Sequence, residues 1–417
     1  MLKTSMKLLP ALLLGGLYST ANASGFQLLE QNASGLGNAY AGSAAVAEDA
    51  STVYFNPAGM TRLQEREVSV GLNAILPSYK FTDQGSRNPL AFGGGAATGG
   101  NGGDAGDWGF VPNGYMSWAL TKDIYAGLGI GAPFGLKTEY DKGWAGRYQA
   151  IKFDIKTINV NPSIAYRVNE TVSLGFGVNW QKFDAEYVRQ GHPTFGAVNL
   201  NAKDDAWGWN AGALFQVSPA TRIGVSYRSA IKYKLDGNIT TAIPGRAGGV
   251  TADLKLPDTF IFSLTHALSD RWELLGDLSW TGWSSIPKLD ILYKNGTLAQ
   301  SLHTDFRDTW RAAFGVTYKY SDAWKFKGGL AFDQAPVKSA EHRLASLPDN
   351  NRVWLSFGVQ FMPSKTSRLD VGYSHLFVKD STINNNQDTP AALARGLVVG
   401  NYEASADILG IQYSTSF

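Results

Sequence analysis

The sequence predicts an all-β protein, a transmembrane antiparallel β-barrel of about 14 strands with an N-terminal hatch (plug) inside the lumen. Three observations carry that expectation. Beyond the N-terminus no stretch reaches the roughly 18 uninterrupted apolar residues of a membrane helix, so a membrane would be crossed by strands. From about residue 66 the chain alternates apolar and polar residues with the period of a two-faced strand. Short turns then alternate with long polar or Gly-rich connections, as in an up-and-down meander.

The elements follow in chain order. Lys3 and Lys7, the apolar run from Leu8 to Leu17 and the small residues Ala21-Asn22-Ala23 have the order of a secretory signal peptide. Residues 1–23 are therefore expected to be removed, leaving Ser24 as the mature N-terminus. The apolar run is about half the roughly 20 residues of a helical anchor. Residues 24–65 are rich in Gly and Ala, lack the alternation and contain Asn56-Pro57-Ala58-Gly59. A barrel this wide would otherwise hold an open hole, so this segment is expected in the lumen as the hatch.

The barrel is expected over 66–417. Val172, Leu174, Phe176, Val178 and Trp180 share one face against Ser173, Gly175, Gly177, Asn179 and Gln181; Trp310 to Lys319 and Trp324 to Asp333 repeat the arrangement. Alternation alone also fits a soluble sandwich. Trp272, Trp280, Trp310, Tyr318 and Tyr320 stand at strand ends, where the aromatic girdles of a lipid-facing barrel lie, and so favour the barrel. Turns are expected near residues 121–123, 169–170, 218–220, 269–270 and 321–322, and extracellular loops near 82–107, 191–204, 237–255, 286–303, 334–350 and 380–401. The last segment puts Leu409, Ile411, Tyr413, Thr415 and Phe417 on one face. A closing aromatic such as Phe417 looks like the signal read by the barrel-assembly machinery.

Composition bounds function. The chain has 47 Gly, 18 Tyr, 21 Phe and 12 Trp, only 17% charged residues and a net charge of +2, so nothing favours a nucleic-acid partner. Zero cysteines exclude disulfides and thiolate sites. No cofactor motif is present: the Gly-rich stretch from Gly93 to Gly103 lacks the Gly-Lys-Ser/Thr ending of a phosphate cradle. No metal site is expected, since no His pair has ligand spacing, and Asp204-Asp205 read as surface charges able to bridge lipopolysaccharide through cations. His192, His266, His303, His342 and His375 have no neighbouring nucleophile signature, so an acyl-ester hydrolase is the disfavoured alternative and no enzyme is expected. A general porin would need an open polar lumen, against the hatch.

The run from Ser24 to Gln31, then Ser34-Gly35-Leu36-Gly37-Asn38-Ala39-Tyr40-Ala41-Gly42, Ala47 to Val53 and Asn56-Pro57-Ala58, resembles the mature N-terminus of the FadL/TodX family of outer-membrane transporters of hydrophobic compounds. The likeness returns at Gly131 to Tyr140, Gly208 to Gly212, Tyr227-Arg228-Ser229 and Trp354-Leu355-Ser356. It implies a monomer in the Gram-negative outer membrane, in contact with its lipid and lipopolysaccharide. It implies passive uptake, foremost of long-chain fatty acids and alternatively of aromatic hydrocarbons: capture at extracellular loops, transfer to an internal site, and lateral exit at a kink in the third strand. The internal site would lie beside Ser24, Gly25 and Phe26, with Tyr187 and Arg189 near the headgroup; an Arg there can grip a carboxylate bidentately. The family's second basic position falls near Leu302 and His303, where no Lys or Arg stands. The kink matches Ala132-Pro133-Phe134-Gly135, where Pro133 removes a ladder donor and Gly135 weakens pairing. Asn56, followed by Pro57, is carried over as the hatch residue that approaches it.

Overall fold

In a computed structural model, residues 25–389 and 395–417 are described; the expected signal peptide and Ser24 lie outside them. Among the described residues, fourteen antiparallel strands run in chain order around a closed wall. They are β1 (Arg66–Asp83), β2 (Gly109–Ala119), β3 (Ile124–Gly131, resuming as Gly135–Glu139), β4 (Lys152–Arg167), β5 (Val172–His192), β6 (Gly196–Ser218) and β7 (Thr221–Arg228 and Ile231–Thr241). There follow β8 (Gly248–Leu256 and Thr259–Ala267), β9 (Trp272–Thr281 and Lys288–Tyr293), β10 (Leu298–His303 and Thr309–Lys319), β11 (Trp324–Asp333), β12 (Arg352–Phe361), β13 (Ser367–Val378 and Ser381–Asn386) and β14 (Leu397–Ser416). β14 pairs with β1 from Ser416↔Glu67 to Gly400↔Asp83, closing the cylinder. Closure satisfies the backbone without an edge, the condition for a sheet in lipid.

The faces settle between barrel and sandwich. At the short-turn end the apolar side chains point outward and stay exposed, among them Phe176, Phe314, Phe326, Phe357 and Ile411, while Asn179, Gln181, Arg311, Lys327 and Gln412 are buried inside. A sandwich would show the reverse. Higher up, the wall inverts. On β5, Phe183 and Tyr187 are buried in the core, whereas Lys182, Asp184 and Glu186 rim a charged outer groove. β5 and β6 are 21 and 23 residues long, about twice what a tilted membrane strand needs, so their upper halves stand in water.

This inversion corrects the loop expectations. Residues 196–204, 237–241, 248–255, 288–293, 298–303, 381–386 and 397–401 are strand, not loop. Their outward side chains are polar because they face water, and that polarity imitated a loop. The connections at 82–107 and 334–350 hold little strand, and the five expected short turns join strands as read.

Residues 25–65 precede β1 and lie against inward-facing side chains in the lower lumen. They form only short turns, at Leu36–Asn38, Thr52–Phe55 and Pro57–Arg62, which leaves many carbonyls in need of donors. The wall supplies them. Arg311 donates to Ala39 O at 2.6 Å, Lys327 to Ser34 O at 2.9 Å, Arg222 to Ala45 O and Val46 O at 3.0 and 2.9 Å, Arg228 to Tyr54 O at 3.0 Å, and Arg167 to Thr61 O. The approach is close: a Cβ on Gly329 of β11 would sit 2.2 Å from the carbonyl carbon of Asn38.

Lys327 also pairs with Glu48 at 2.5 Å and Asp370 at 3.2 Å with almost no exposure. Removing one partner of a buried ion pair typically costs about 3–5 kcal/mol. Lys327→Ala is therefore expected to lower barrel stability by several kcal/mol, about 3 at the least, measured as the urea midpoint of the refolded protein in detergent. A midpoint equal to the parent's would show that the cation does not anchor the segment.

Candidate functional site

The inversion of the wall makes the upper lumen apolar. A cavity of about 920 Å³ opens there between β4–β10 and the connection after β11, lined by Phe183, Leu200, Leu254, Ile291, Leu302 and Leu347 among others. Its apolar lining has the character of a small-molecule site. Phe26 forms its floor, with its ring 4.9 Å from Trp283 and 5.9 Å from Phe134. Gly25, at φ +66°, passes so close to Trp283 that a Cβ would meet the indole at 2.6 Å, and its N–H donates to Asp349 at 2.8 Å. Trp283 comes from the break in β9 and Phe306 from the break in β10, so interruptions of the wall turn aromatic rings into the lumen.

A polar cluster lies behind Tyr187, at the edge of this apolar cavity. Tyr187 lines the cavity and donates to Gln149 O; Arg189 donates from Nε to Gln300 Oε1 at 3.3 Å and from Nη1 to Gln190 O at 3.2 Å. Arg395, buried, donates to Ser301 O at 2.9 Å and to the Tyr187 hydroxyl at 3.4 Å. Burial, then the neighbouring Arg395, pushes the Arg189 guanidinium down to about 10, so it remains a cation at neutral pH. Gln300 is buried and its Nε2 has no partner in the protein. Its oxygen is taken by Arg189, which leaves the amide N–H₂ as a donor. Two guanidinium groups and a buried amide donor thus gather at one place, an arrangement suited to an anionic oxygen. The expected pair Tyr187 and Arg189 is brought together here. Arg395, Gln300 and Trp283 were not foreseen; Arg395 stands where the sequence was read as loop, and only barrel closure carries it beside Ser301.

The break in β3 is the second element. The last rung between β2 and β3 is Gly114↔Ile130; above it, residues 109–113 pair with β1 alone, and Gly135–Glu139 pairs with β4 alone. At Ala132, Pro133 and Phe134 the strand edge is taken up from inside by the N-terminal segment. Leu28 N donates to Pro133 O at 2.7 Å and Gly135 N to Phe26 O at 2.9 Å, closing an antiparallel bridge Gln27↔Phe134, and Gln31 Nε2 donates to Ala132 O at 2.8 Å. Asn56 and Pro57 are not part of this arrangement, contrary to the expectation. Asn56 caps the turn after it by accepting from Ala58 N, and donates to Ala44 O at 2.7 Å and to Ala213 O of β6 at 3.0 Å. Its amide is consumed there, and Pro57 packs on Gly175 of β5.

The comparisons with known proteins agree with this architecture. The family model described as outer membrane protein transport protein (OMPP1/FadL/TodX) matches residues 17–417. The chain is 31% identical over 412 residues to the long-chain fatty acid transport protein of Salmonella typhi, covering 87% of this chain and 89% of that one. The crystal structure of a Pseudomonas aeruginosa FadL homologue shares its fold at TM-score 0.86 and 24% identity, over 94% of this chain and all of that one. The Ralstonia pickettii toluene transporter TbuX does so at TM-score 0.65 and 17% identity, again over 94% of this chain and 100% of that one.

The N-terminal segment carries one buried acid whose environment bears on its release. Glu30 is fully buried and its carboxyl oxygens have no hydrogen-bond partner in another described residue; desolvation raises it from 4.5 to about 7 against the lowering influence of its own backbone N–H and then of Arg352 and Arg311. If displacement of the segment hydrates Glu30, the closed position binds the proton more tightly than the open one. Its advantage is then complete below about pH 4.5 and lost as pH rises through about 7, a swing of about 3 kcal/mol. Maleimide labelling of Gln27→Cys, taken relative to a free thiol at the same pH, should accordingly be faster at pH 8 than at pH 5.5, and Glu30→Gln should flatten that ratio. A profile unchanged by Glu30→Gln would assign the pH response to another group.

Proposed function

Since the chain belongs to the OMPP1/FadL/TodX family of outer membrane transport proteins, whose members are channels and not enzymes, we propose that it takes up long-chain fatty acids passively across the outer membrane. The observation that carries this reading is an apolar cavity lined by Tyr187, behind whose hydroxyl stand Arg395, Arg189 and Gln300. Each methylene moved from water into such a cavity gains about 0.8 kcal/mol, so the tail supplies most of the affinity. A charged hydrogen bond adds about 1.5–3 kcal/mol and decides which headgroup is preferred. Toluene-type hydrocarbons, the cargo named for TbuX, would use the cavity and leave the guanidinium groups idle.

In this reading the acid is first held at the extracellular tips, where the rings of Phe92, Tyr148, His192 and Phe195 contact one another in a chain. It then enters the cavity with its carboxylate at Arg189. Departure of Phe26–Leu28 from the edge at Pro133 and Gly135 opens the cavity floor and the β2–β3 gap together, and the acid leaves sideways into the outer leaflet. Residues 34–63 stay as the plug. No energy source is required, because transfer from water to membrane runs downhill. The exposed C-terminal Phe417 is offered to the assembly machinery, and the protein works as a monomer in contact with lipopolysaccharide.

Labelled oleate and toluene uptake by cells lacking their own channel tests the cargo: protein-dependent oleate entry is expected, and toluene entry alone would move the assignment to hydrocarbons. Arg189→Ala should weaken oleate binding about tenfold or more while oleyl alcohol changes by less than about twofold; equal losses would remove Arg189 from the headgroup site. The pair Gln27→Cys and Phe134→Cys, at bridge positions whose Cα separation suits a disulfide, should block uptake until reduced. Oxidised protein that transports at the parental rate would reject this gate.

A further inference from the structure

At the lower sill of the β3 break, two side-chain amides keep polar atoms without a hydrogen-bond partner among the described residues. Asn113 is the first inward residue of β2 above the last rung to β3, and it is 2% exposed. Neither its Nδ2 nor its Oδ1 has a hydrogen-bond partner in the protein. Leaving both polar ends of a buried amide unmet is costly, so such groups are normally met by a ligand or by water. The Asn113 amide itself fills the space over Gly71, its partner on β1, where a Cβ would stand 2.7 Å from Asn113 Oδ1. On the far side, a Cβ on Gly131 would stand 2.5 Å from Gln31 Oε1, which also has no partner although Gln31 Nε2 holds Ala132 O.

The chemistry of this place differs from that at Arg189. No Lys or Arg donates to Asn113 or Gln31 among the described residues. A carboxamide presents one N–H and one C=O side by side. A protonated carboxyl group presents the reciprocal pair, so both bonds form at once. A carboxylate offers two acceptors and no donor, and would set oxygen against Asn113 Oδ1. The place therefore selects the neutral acid, which is also the form that hydrocarbon accepts.

We propose that Asn113 is an exit subsite that binds the carboxyl group of the departing cargo in its neutral form at the mouth of the lateral gap. The inference rests on the fatty-acid reading above and adds to it a change of protonation between two sites. At Arg189 the head is an anion. On leaving, the carboxylate takes one proton from solvent, forming its O–H bond with no change at carbon, and docks on the Asn113 amide while the tail enters the leaflet. An ordinary carboxyl group keeps a neutral minority at neutral pH, and the subsite draws on it.

The test compares uptake of oleate, oleamide and methyl oleate by cells that carry the full-length protein as their sole such channel. Oleamide has the reciprocal donor and acceptor; methyl oleate has only acceptors. Asn113→Leu should lower oleate and oleamide uptake about tenfold, leave methyl oleate within about twofold, and leave oleate binding to the purified barrel unchanged. Relative to the parent at the same pH, Asn113→Asp should transport oleate poorly at pH 7.5, where it is a carboxylate, and recover as the pH falls to about 4, where its own acid form restores the reciprocal pair. Heat-shifted gel migration checks that both variants fold. Parental oleate uptake by Asn113→Leu would overturn the subsite and leave the amide as a water site. An equal loss of methyl oleate by a folded variant would overturn it too, as a contribution to the wall. Failure of the unaltered protein to take up oleate would instead overturn the fatty-acid reading, and the subsite with it.

Discussion

A barrel wall that is apolar against lipid and polar against water has to exchange its faces where it leaves the membrane, and the whole lumen follows from how this chain does so. Below that level the inward face is polar and accommodates a backbone-rich segment that needs donors. Above it the inward face is apolar and encloses a cavity. β5 inverts through its sequence, since Val178 points out and Phe183 in without a break in the strand. β8 inverts through its backbone. Val250, Ala252, Leu254 and Leu256 face in, and Phe260, Phe262 and Leu264 face out, all at even positions, because the interruption at Pro257-Asp258 shifts the phase by one. The interruption at Ser229-Ala230 does the same for β7, where Val225 and Tyr227 turn out and Ile231 and Tyr233 turn in.

Breaks used for inversion leave backbone groups to be satisfied and side chains free to turn inward, and both become material for the site. Trp283 and Phe306 enter the cavity from such breaks, and the β3 edge at Pro133 and Gly135 is completed by Phe26 and Leu28. The strengths of these attachments differ. Residues 25–28 are held by two neutral backbone bonds, two neutral side-chain bonds of Gln27 with Thr259 and Thr281, one bond to Asp349 and ring contacts, at about 1 kcal/mol per neutral bond. Residues 34–63 are held by five cations from four strands, each bond worth about 1.5–3 kcal/mol. A moving N-terminus on a fixed plug is what this gradient favours.

The same exchange of faces decides what could be read from the sequence. In the lower barrel, apolar alternation, end-of-strand aromatics and short turns speak for themselves, because each strand meets lipid independently of its neighbours. The upper barrel was misread because Lys203 or Asp236 facing water is, residue by residue, indistinguishable from a loop. The kink was legible at Pro133 and Gly135, since the obstacle to pairing lies in those residues. The polar cluster behind Tyr187 was only half legible. Arg189 and Tyr187 share a strand, but Arg395 is 206 positions from Arg189 (395 − 189), and only the closing of β14 against the rest brings it near. Asn56 was misplaced for a different reason: a polar residue before a Pro is an ordinary cap, and that local use took the side chain away from the break.

For the proposed fatty-acid cargo, the free energy of the tail gives polar groups at both ends of the proposed route a purpose. A fatty-acid chain gains nearly the same per methylene in an apolar cavity as in a bilayer, so moving from one to the other through a continuous apolar gap is close to neutral for the tail. What differs between the two is the headgroup. A carboxylate held at Arg189 is stabilised by charge, whereas a carboxylate in hydrocarbon is not tolerated, so the barrier to release is a barrier for the carboxyl alone. A passive channel has no means of forcing that step. It can only offer a second place where the head is met on different terms, and a cation there would merely move the trap to the membrane edge. A neutral amide at the sill of the gap meets the head without holding its charge, and so lets the tail's indifference set the rate.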